Sequence, residues 1–302
     1  MSFNQYTWDL YKQTTIGIEM IKYFSDAGGY VLFKDYCPYA NFIPEDLYND
    51  WLENIYCYGV SDYDHPSSLE EAKDLYISLI TLGIRVEGQQ WLPANDFKNM
   101  LGIIQPMSYV LSQFAPEYFF PYLFLCRIFE LNKIADFFNI DLPNIPKRTD
   151  YKGRCMYYWE LCEVFYLFRK ENGLSPADLW SFLYDFAPNN LPSEKIDMPK
   201  PSQVWFIGGR LYQEDKSLES KFWQSSPETK KGDILVHYET SPISAITCIE
   251  ISLTDGVIDP LFRYYGCIYI GNRINIPHIT LKELQTDEYF SNTHLLEKTF
   301  RE

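Results

Sequence analysis

The chain has 302 residues, of which 46% are hydrophobic and 18% aromatic, so it can form a sizeable core and is not a disordered segment. Its net charge of −15 argues against a broad nucleic-acid-binding face, because phosphate contacts need clustered lysine and arginine. The charge is uneven, with −11 over residues 1–200 and −4 over residues 201–302. Any nucleic acid is therefore expected to bind locally in the C-terminal part, through a pocket and a few cations.

The sequence shows no membrane, export or metal signature. No apolar run reaches the length needed to cross a bilayer, and residues 1–5 lack the basic and apolar regions of a signal peptide. The chain is therefore expected to be cytoplasmic. Its seven cysteines form no Cys-x-x-Cys pair and are expected to be free and mostly buried. Since the four histidines lie far apart in sequence, we expect neither a metal site nor a bound cofactor.

The long N-terminal part of the chain shows the spacing of amphipathic helices. An irregular apolar stripe predicts a helix that ends at Gly28, and the aromatic, proline-broken segment 30–42 is expected to be extended or looped. Ser67 and Ser68 precede an acidic first turn and predict the capped start of a helix at Leu69. The predicted helices of this region cover residues 44–58, 69–82, 95–114 and 117–138, and residues 141–150 are expected to form a loop.

A helical pair follows, joined by a short turn. Residues 151–171 form one long amphipathic pattern, and Gly173 suits the C-cap that ends it. Ser175 as N-cap and Pro176 at the first helical position start the second helix, which is expected to stop at Phe186. The pair is similar to the first two helices of repressor-type DNA-binding domains, but the proline-rich sequence after it cannot form a recognition helix. A packed αα-hairpin is therefore the favoured interpretation.

Residues 189–201 contain three prolines and few apolar side chains, and they predict a linker. We place an α-helical domain over residues 1–198 and a second domain over residues 203–302. After the linker the pattern changes to short β-branched and apolar runs separated by turn residues. Strands are predicted over residues 204–207, 233–238, 245–253 and 264–270, with helices over 216–223 and 281–289 and a last helical turn near Leu295. This order predicts a small mixed β-barrel and an α+β chain.

The motifs of the second domain occur in a recognisable order. They are a Val-Trp-Phe-Ile-Gly-Gly strand at 204–209, a Phe-Trp-Gln-Ser-Ser-Pro run at 222–227, a Lys-Gly-Asp turn at 231–233 and later strands at 245–253 and 267–270. This order resembles the EVE branch of the PUA-like superfamily, small β-barrels that bind nucleic acids and often hold one base in an aromatic pocket. At the positions of that family's Val-Arg-Asn element, this chain has Gln-Ser-Ser. The resemblance covers about a third of the chain.

The resemblance implies a pocket for a single base. A base presents a π face and a hydrogen-bonding edge, so the pocket needs stacking aromatic side chains and a few polar groups. The walls are expected to come from Trp205, Trp223 and Tyr238, and the polar groups from Ser225 and Ser226. A phosphate is expected to bind Arg210 beside Gly208 and Gly209. The alternative is that the tryptophans only fill the barrel, since alternate residues of a barrel strand point inward.

The favoured function is a non-catalytic reader, meaning a protein that binds one base, modified bases included, without changing it. The acidic helical domain would then bind a protein partner or a second copy of the chain. An alternative is a protein-interaction scaffold that keeps the barrel only as a stable fold. A third is a nuclease with Asp233 and Glu250 as carboxylates, but such sites carry a lysine two residues after the glutamate, where this chain has Ser252. We therefore expect a protein that is not an enzyme.

Overall fold

The computed structural model describes residues 3–37, 40–87, 89–192, 198–209, 221–262 and 266–292. They form a helical N-terminal region followed by a mixed, curled β-sheet, which confirms the expected α+β class. The chain divides into two units, of which the first comprises Met1–Ser193 with Asp259–Tyr264. The second comprises Glu194–Ile258 with Tyr265–Glu302. No local sequence pattern predicted that a segment between two strands belongs to the helical unit.

Short helices build the first unit. Their bounds are α1 Gln5–Gln13, α2 Thr15–Asp26, α3 Gly29–Tyr36, α4 Glu45–Ile55, α5 Leu69–Leu82, α6 Phe97–Met100, α7 Ile104–Phe114, α8 Ile128–Phe138, α9 Tyr151–Glu171, α10 Pro176–Ser181 and α11 Ala187–Asn190. A short antiparallel hairpin that the sequence analysis missed, β1 Ile84–Val86 with β2 Gln89–Leu92, lies between α5 and α6. None of the helices described is both long enough and apolar enough to cross a membrane. All seven cysteines are free, and six of them are buried, as predicted.

Three predicted helices are confirmed, two of them with the capping residues the sequence indicated. The hydroxyl of Ser68 accepts a hydrogen bond from the Glu71 amide at the start of α5 (3.2 Å). The helix α9 has the predicted bounds of 151–171. At the start of α10, Ser175 and Asp178 bond each other's backbone amides in a capping box. Such caps fix where a helix starts, because they pair amides that no carbonyl of the same helix reaches.

Two predictions for the helical region are wrong. Segment 30–42 is mostly helix rather than loop, because its one proline, Pro38, follows the end of α3 at Tyr36 in sequence and does not interrupt it. The helix predicted over 117–138 begins only at Ile128, since Pro121 has no amide hydrogen to continue a helix. Side chains bond the backbone before α8 instead. Ser108 accepts from the Tyr122 amide (2.8 Å), and Tyr158 donates to the Phe120 carbonyl (2.8 Å).

The second helix of the predicted pair also runs further than expected. After α10, a π-helical turn at Phe182–Phe186 leads directly into α11, where Pro188 occupies the first turn. Pro188 donates no backbone hydrogen bond, and it lies at the junction of the π-helical turn with α11. Phe182, Tyr184 and Phe186 are buried, so this continuous helix packs into the core of the unit.

The second unit is built on a six-stranded sheet in the order β3-β5-β6-β8-β4, with β7 paired to β8. The strands are β3 Val204–Gly209, β4 Lys221–Ser225, β5 Ile234–Glu239, β6 Ala245–Ser252, β7 Val257–Ile258 and β8 Gly266–Thr280. The pair β3–β5 is parallel and the other pairs are antiparallel. The predicted helix over 216–223 is wrong for its last residues, which belong to β4, and its earlier residues lie outside the described part of the chain.

A short helix, α12 at Leu281–Thr286, follows the sheet and starts from a capping box between Thr280 and Glu283. It confirms the predicted helix in a shorter form. The predicted turn near Leu295 lies outside the described residues.

The sheet has two apolar faces, because successive side chains of a strand point to opposite sides. One face carries Ile207, Leu235, Ile268 and Ile270, with Trp205 and Trp223 packed against them. The other face carries Tyr238 and Ile246, together with Phe206 and Val236, and Leu284 of α12 packs against them. We refer to the first as the inner face, since the two end strands of the sheet approach each other across it. A Cβ atom at Gly209 of β3 would lie 2.8 Å from the Trp223 ring of β4, which shows how strongly the sheet curls.

Candidate functional site

The approach of β3 and β4 encloses a cavity of about 590 Å³. It is lined by residues 205–208 of β3 and residues 222–226 of β4 and the turn after it. β3 pairs with β5 alone and β4 with β8 alone among the strands described, so each presents its other edge to this cavity. We refer to the cavity as the edge pocket.

The edge pocket brings together most of the residues that the sequence analysis proposed. Trp205, Gly208, Trp223, Ser225 and Ser226 line it, and Gly209 lies directly against the Trp223 ring.

Two of the proposed residues are not part of this arrangement. The structure places Tyr238 in the core on the opposite face of the sheet, because its neighbour His237 takes the inward position on β5. Arg210, expected to contact a phosphate, lies outside the described residues.

The orientation of Trp205 is set by a buried carboxylate. Its indole Nε1 donates to Oδ2 of Asp233 at 2.9 Å, and Oδ2 also accepts from the Lys230 amide at 2.9 Å. The other oxygen, Oδ1, accepts from Ser202 and Gln203 at 2.7–3.0 Å. Burial acts to raise the pKa of Asp233, but these hydrogen bonds outweigh it and keep the pKa well below its ordinary value. The Lys-Gly-Asp turn therefore fixes the first aromatic wall of the pocket.

The second wall, Trp223, lies between Gly209 and His237. Gly209 has no side chain, so the indole ring packs directly on the backbone of β3. The ring also meets the imidazole of His237 edge to face, with ring centroids 4.8 Å apart and planes at 73°. Both tryptophans are half-buried, and their exposed parts face the pocket.

A tight turn after β4 positions the two serines. The Ser225 hydroxyl bonds the hydroxyl of the buried Thr229, and the Ser226 hydroxyl accepts from the Glu228 amide at 3.2 Å. The Ser226 carbonyl accepts from the Thr229 amide at 3.0 Å and closes the turn. Because the Ser226 oxygen accepts its bond, its own hydrogen is available to a ligand. The amide of Gln224, which the sequence analysis did not select, adds a donor and an acceptor to the same lining.

Behind Trp223, the inner face carries three ionisable side chains that the sequence analysis did not connect. They are His237 on β5, Glu250 on β6 and Arg273 on β8, and we refer to them as the ion cluster. Nε2 of His237 lies 2.5 Å from Oε2 of Glu250, and Nε of Arg273 donates to Oε1 at 2.9 Å. Burial acts to raise the pKa of Glu250, but the interactions with His237 and Arg273 outweigh it and lower the pKa. The period-two spacing of residues 235 and 237 was the one available signal that His237 points inward.

The carboxylates of the nuclease alternative have other partners. Asp233 accepts hydrogen bonds from Lys230 of its own turn and from the distant Ser202, Gln203 and Trp205. Glu250 is paired with His237 and Arg273. Among the described residues, no group of three or more histidine, cysteine, aspartate or glutamate side chains is arranged to hold a metal ion.

The described lining of the edge pocket is aromatic, apolar or neutral and polar, without a charged side chain. It therefore suits a flat, uncharged ligand with hydrogen-bonding groups at its rim better than an anion. Comparison with known proteins adds nothing to this chemistry: no protein-family model, curated protein or solved structure matches the chain.

Proposed function

We propose that the edge pocket binds a single base of a nucleic acid and performs no reaction on it. The observation that carries the proposal is the pair of fixed tryptophan rings on facing strand edges, with neutral polar groups beside them. Each ring offers a π face for stacking, and Gln224 and Ser226 offer donors and an acceptor for the edge of a base. DNA and RNA bases, with or without modification, share these features.

The charge of the protein favours an unpaired base over a duplex. A duplex presents a dense row of phosphates and is bound by clustered cations, whereas this chain has a net charge of −15. Stacking contributes about 1–3 kcal/mol per base and needs no cation. The preferred ligand is therefore a base in a single strand or one flipped out of a helix. The resemblance of this region to EVE and PUA-like domains agrees with that ligand class.

A protein partner for the helical unit is a second candidate function. Large apolar side chains of the first two helices are exposed, namely Tyr6, Leu10, Ile16 and Ile18, with 47–73% of their surface accessible. Exposed apolar surface of this kind is typical of protein contacts. The chain would then act as a scaffold, with or without a base in the edge pocket. Light scattering would detect a self-associated form by its mass in solution.

The base-binding proposal is tested by fluorescence anisotropy at low salt with short labelled oligonucleotides, single- and double-stranded. We expect saturable binding that prefers the single strand. Trp223→Ala should weaken it by roughly 5- to 150-fold, the equivalent of one lost stacking contact of about 1–3 kcal/mol. Tyr289→Ala serves as the matched control, because it removes an aromatic side chain of the same unit that is 73% exposed and lies outside the pocket.

Two results would contradict base binding. One is the absence of binding at low salt, where attraction to phosphates is strongest. The other is an equal affinity of Trp223→Ala and Tyr289→Ala. Either result would leave the scaffold as the better interpretation. Urea unfolding of both variants ensures that lost binding is not confused with lost folding.

A further inference from the structure

A second cavity, of about 530 Å³, lies in the helical unit between α9 and the loop that precedes it. The loop lines it with residues of the range 141–150, and the helix lines it with residues from Gly153 to Leu167. The lining positions of the helix are three, four or seven residues apart, a spacing that places them on one face. At 1.5 Å per residue this face is about 21 Å long, the length of six or seven residues of an extended chain. We refer to this cavity as the acidic groove.

The acidic groove exposes apolar surface. Leu142, Pro143 and Pro146 of the loop line it, together with Val164 and Leu167 of α9. Leu167 is 62% exposed, although most of the apolar side chains of the same helix are buried. Single exposed apolar residues are common on protein surfaces, but a group of them in one concave site is typical of a contact with another molecule.

Carboxylates accompany this apolar surface. Four of the eleven lining residues are acidic, namely Asp141, Asp150, Glu160 and Glu163. The described lining includes no cationic side chain, since Lys147 and Arg148 belong to the same loop but do not line the groove. The groove therefore combines apolar surface with an excess of negative charge.

The protein itself neutralises only part of this charge. Asp150 is the N-cap of α9 and accepts from the Gly153 amide at 2.8 Å, and Glu163 pairs with Lys73 at 3.6 Å. Glu160 has neither a hydrogen bond nor an ion pair among the described residues. Its burial and the charge of Glu163 raise its pKa, against the opposing effect of Lys73. A cation placed in the groove would therefore stabilise the ionised form of Glu160.

These charges decide which kind of molecule fits. The phosphates of a nucleic acid would be repelled by the carboxylates. A second copy of this chain would be repelled as well, because each copy has a net charge of −15 and no more than two consecutive basic residues. A basic segment with large apolar side chains suits both parts of the lining. In an extended chain, alternate side chains point to opposite sides, so apolar residues can contact the groove while long basic side chains bend towards the carboxylates.

We propose that the acidic groove binds an extended segment of a partner protein in which lysine or arginine alternates with large apolar residues. The proposal concerns the helical unit and does not depend on base binding in the edge pocket. It also names a surface other than the exposed side chains of α1 and α2, none of which lines the groove.

The first test titrates the whole chain against a labelled synthetic peptide of about eight residues that alternates lysine and leucine, followed by fluorescence anisotropy. We expect saturable binding that weakens as salt is added, because salt screens attraction between charges. A peptide with glutamate in place of lysine should not bind. A peptide with serine in place of leucine should bind roughly tenfold or more weakly, since it loses the apolar contacts.

The second test locates the peptide with matched variants. Leu167→Lys places a cation in the groove and should weaken binding roughly tenfold or more, because like charges then meet. Leu82→Lys is its control: it makes the same change of charge at a leucine of the same unit that is 63% exposed and lies outside the groove. Glu160→Gln should weaken binding by about 2- to 5-fold, as expected for one lost ion pair, and the exposed Glu53→Gln should not.

Four results would overturn the proposal. They are no binding of the lysine–leucine peptide, equal binding of the serine peptide, equal affinities of Leu167→Lys and Leu82→Lys, and binding that Trp223→Ala abolishes, which would place the peptide in the edge pocket. If the peptide does not bind and light scattering shows a dimer that Leu167→Lys alone dissociates, the occupant is a second copy. Circular dichroism checks the folding of each variant, and the two glutamine variants decide the same question should Leu167→Lys unfold. None of these results contradicts base binding, which is tested with oligonucleotides.

Discussion

At Asp233, donors from four residues converge on a carboxylate that has no exposed surface. Its lowered pKa means that the ionised form of the Asp233 side chain is more stable in the folded chain than in the unfolded chain. The stabilisation is therefore fully present above the ordinary aspartate pKa of about 3.9 and is lost as the pH falls below it. The same carboxylate orients Trp205, so the turn links the stability of the sheet to the shape of the pocket.

We expect Asp233→Asn to destabilise the protein by about 3–5 kcal/mol at pH 7, because an amide nitrogen then faces buried donors that lose their acceptor. Urea unfolding followed by circular dichroism measures the loss, which should shrink towards pH 3. Asp255→Asn is the matched control: it accepts from the Lys231 amide nearby but is 59% exposed, and it should cost less than about 1 kcal/mol. Equal losses for the two variants would contradict the role of Asp233.

Two of the three aromatic side chains proposed for the pocket were identified correctly from the sequence. The spacing of the motifs identified Trp205 and Trp223, and both line the edge pocket. It did not distinguish Tyr238 from His237, since neighbouring residues of a strand point to opposite faces and a shift of one residue exchanges them. The choice between them depends on the register of β5 against β3 and β6, which pairs residues far apart in the sequence.

Among the elements, β3 and β4 determine whether a pocket exists. They lie at opposite ends of the strand order and meet because the sheet curls. Gly209 allows the contact, since a Cβ atom there would lie 2.8–3.0 Å from the Trp223 ring, closer than atoms normally approach. A side chain as small as a methyl group at position 209 would therefore push the Trp223 ring away from β3.

We expect Gly209→Ala to displace the Trp223 ring and to reduce affinity for a single-stranded oligonucleotide, with a loss of stability of about 1–3 kcal/mol from overpacking. An anisotropy titration measures the affinity, urea unfolding measures the stability, and the ¹⁹F resonance of Trp223 in protein labelled with 5-fluorotryptophan reports the displacement of the ring. Gly102→Ala is the control, because a Cβ atom at Gly102 meets nothing within 4 Å. A Gly209→Ala protein with unchanged affinity and an unchanged resonance would show that the contact between β3 and β4 does not shape the pocket.

Local sequence patterns predicted the helices that have capping residues. They failed for segments whose secondary structure depends on contacts with residues far away in the sequence. The capped starts of α5 and α10 were predicted from the sequence. Part of β4 was predicted as helix because a strand of five residues shows little periodicity. It forms a strand because it pairs with β8, which lies far away in the sequence. Residues 117–127 are likewise not part of the helix predicted for them, because hydroxyl groups from other helices bond their backbone.

For the whole molecule, the α+β class followed from the change of period along the chain, but one connection was not predictable. The segment Asp259–Tyr264, which follows β7, belongs to the helical unit. Asp259 is buried there and accepts from the amide of Cys126 at 3.0 Å, and Nε of Arg154 donates to the Pro260 carbonyl at 2.7 Å. These partners lie more than a hundred residues away in the sequence, so no local pattern predicts the contacts.

Asp259 makes the stability of this arrangement depend on pH. Burial raises its pKa to about 6, against the opposing effect of its amide donors and Arg154. An unfolded aspartate has a pKa of about 3.9, so between about pH 4 and pH 6 the folded chain keeps a proton that the unfolded chain has released. Stability from this group should fall as the pH rises through that window, by about 3 kcal/mol.

Asp259→Asn removes the titration, so the difference in unfolding free energy between pH 4.5 and pH 7 should change by about 2–3 kcal/mol relative to the wild type. Urea unfolding of the whole chain at both pH values measures this change in unfolding free energy. The contributions of the other carboxylates cancel in the comparison, because those groups titrate alike in both proteins. Asp74→Asn, an exposed aspartate of α5 in the same unit, should leave the wild-type difference unchanged. If Asp259→Asn leaves it unchanged too, Asp259 is ionised throughout, and its amide donors rather than burial determine its charge.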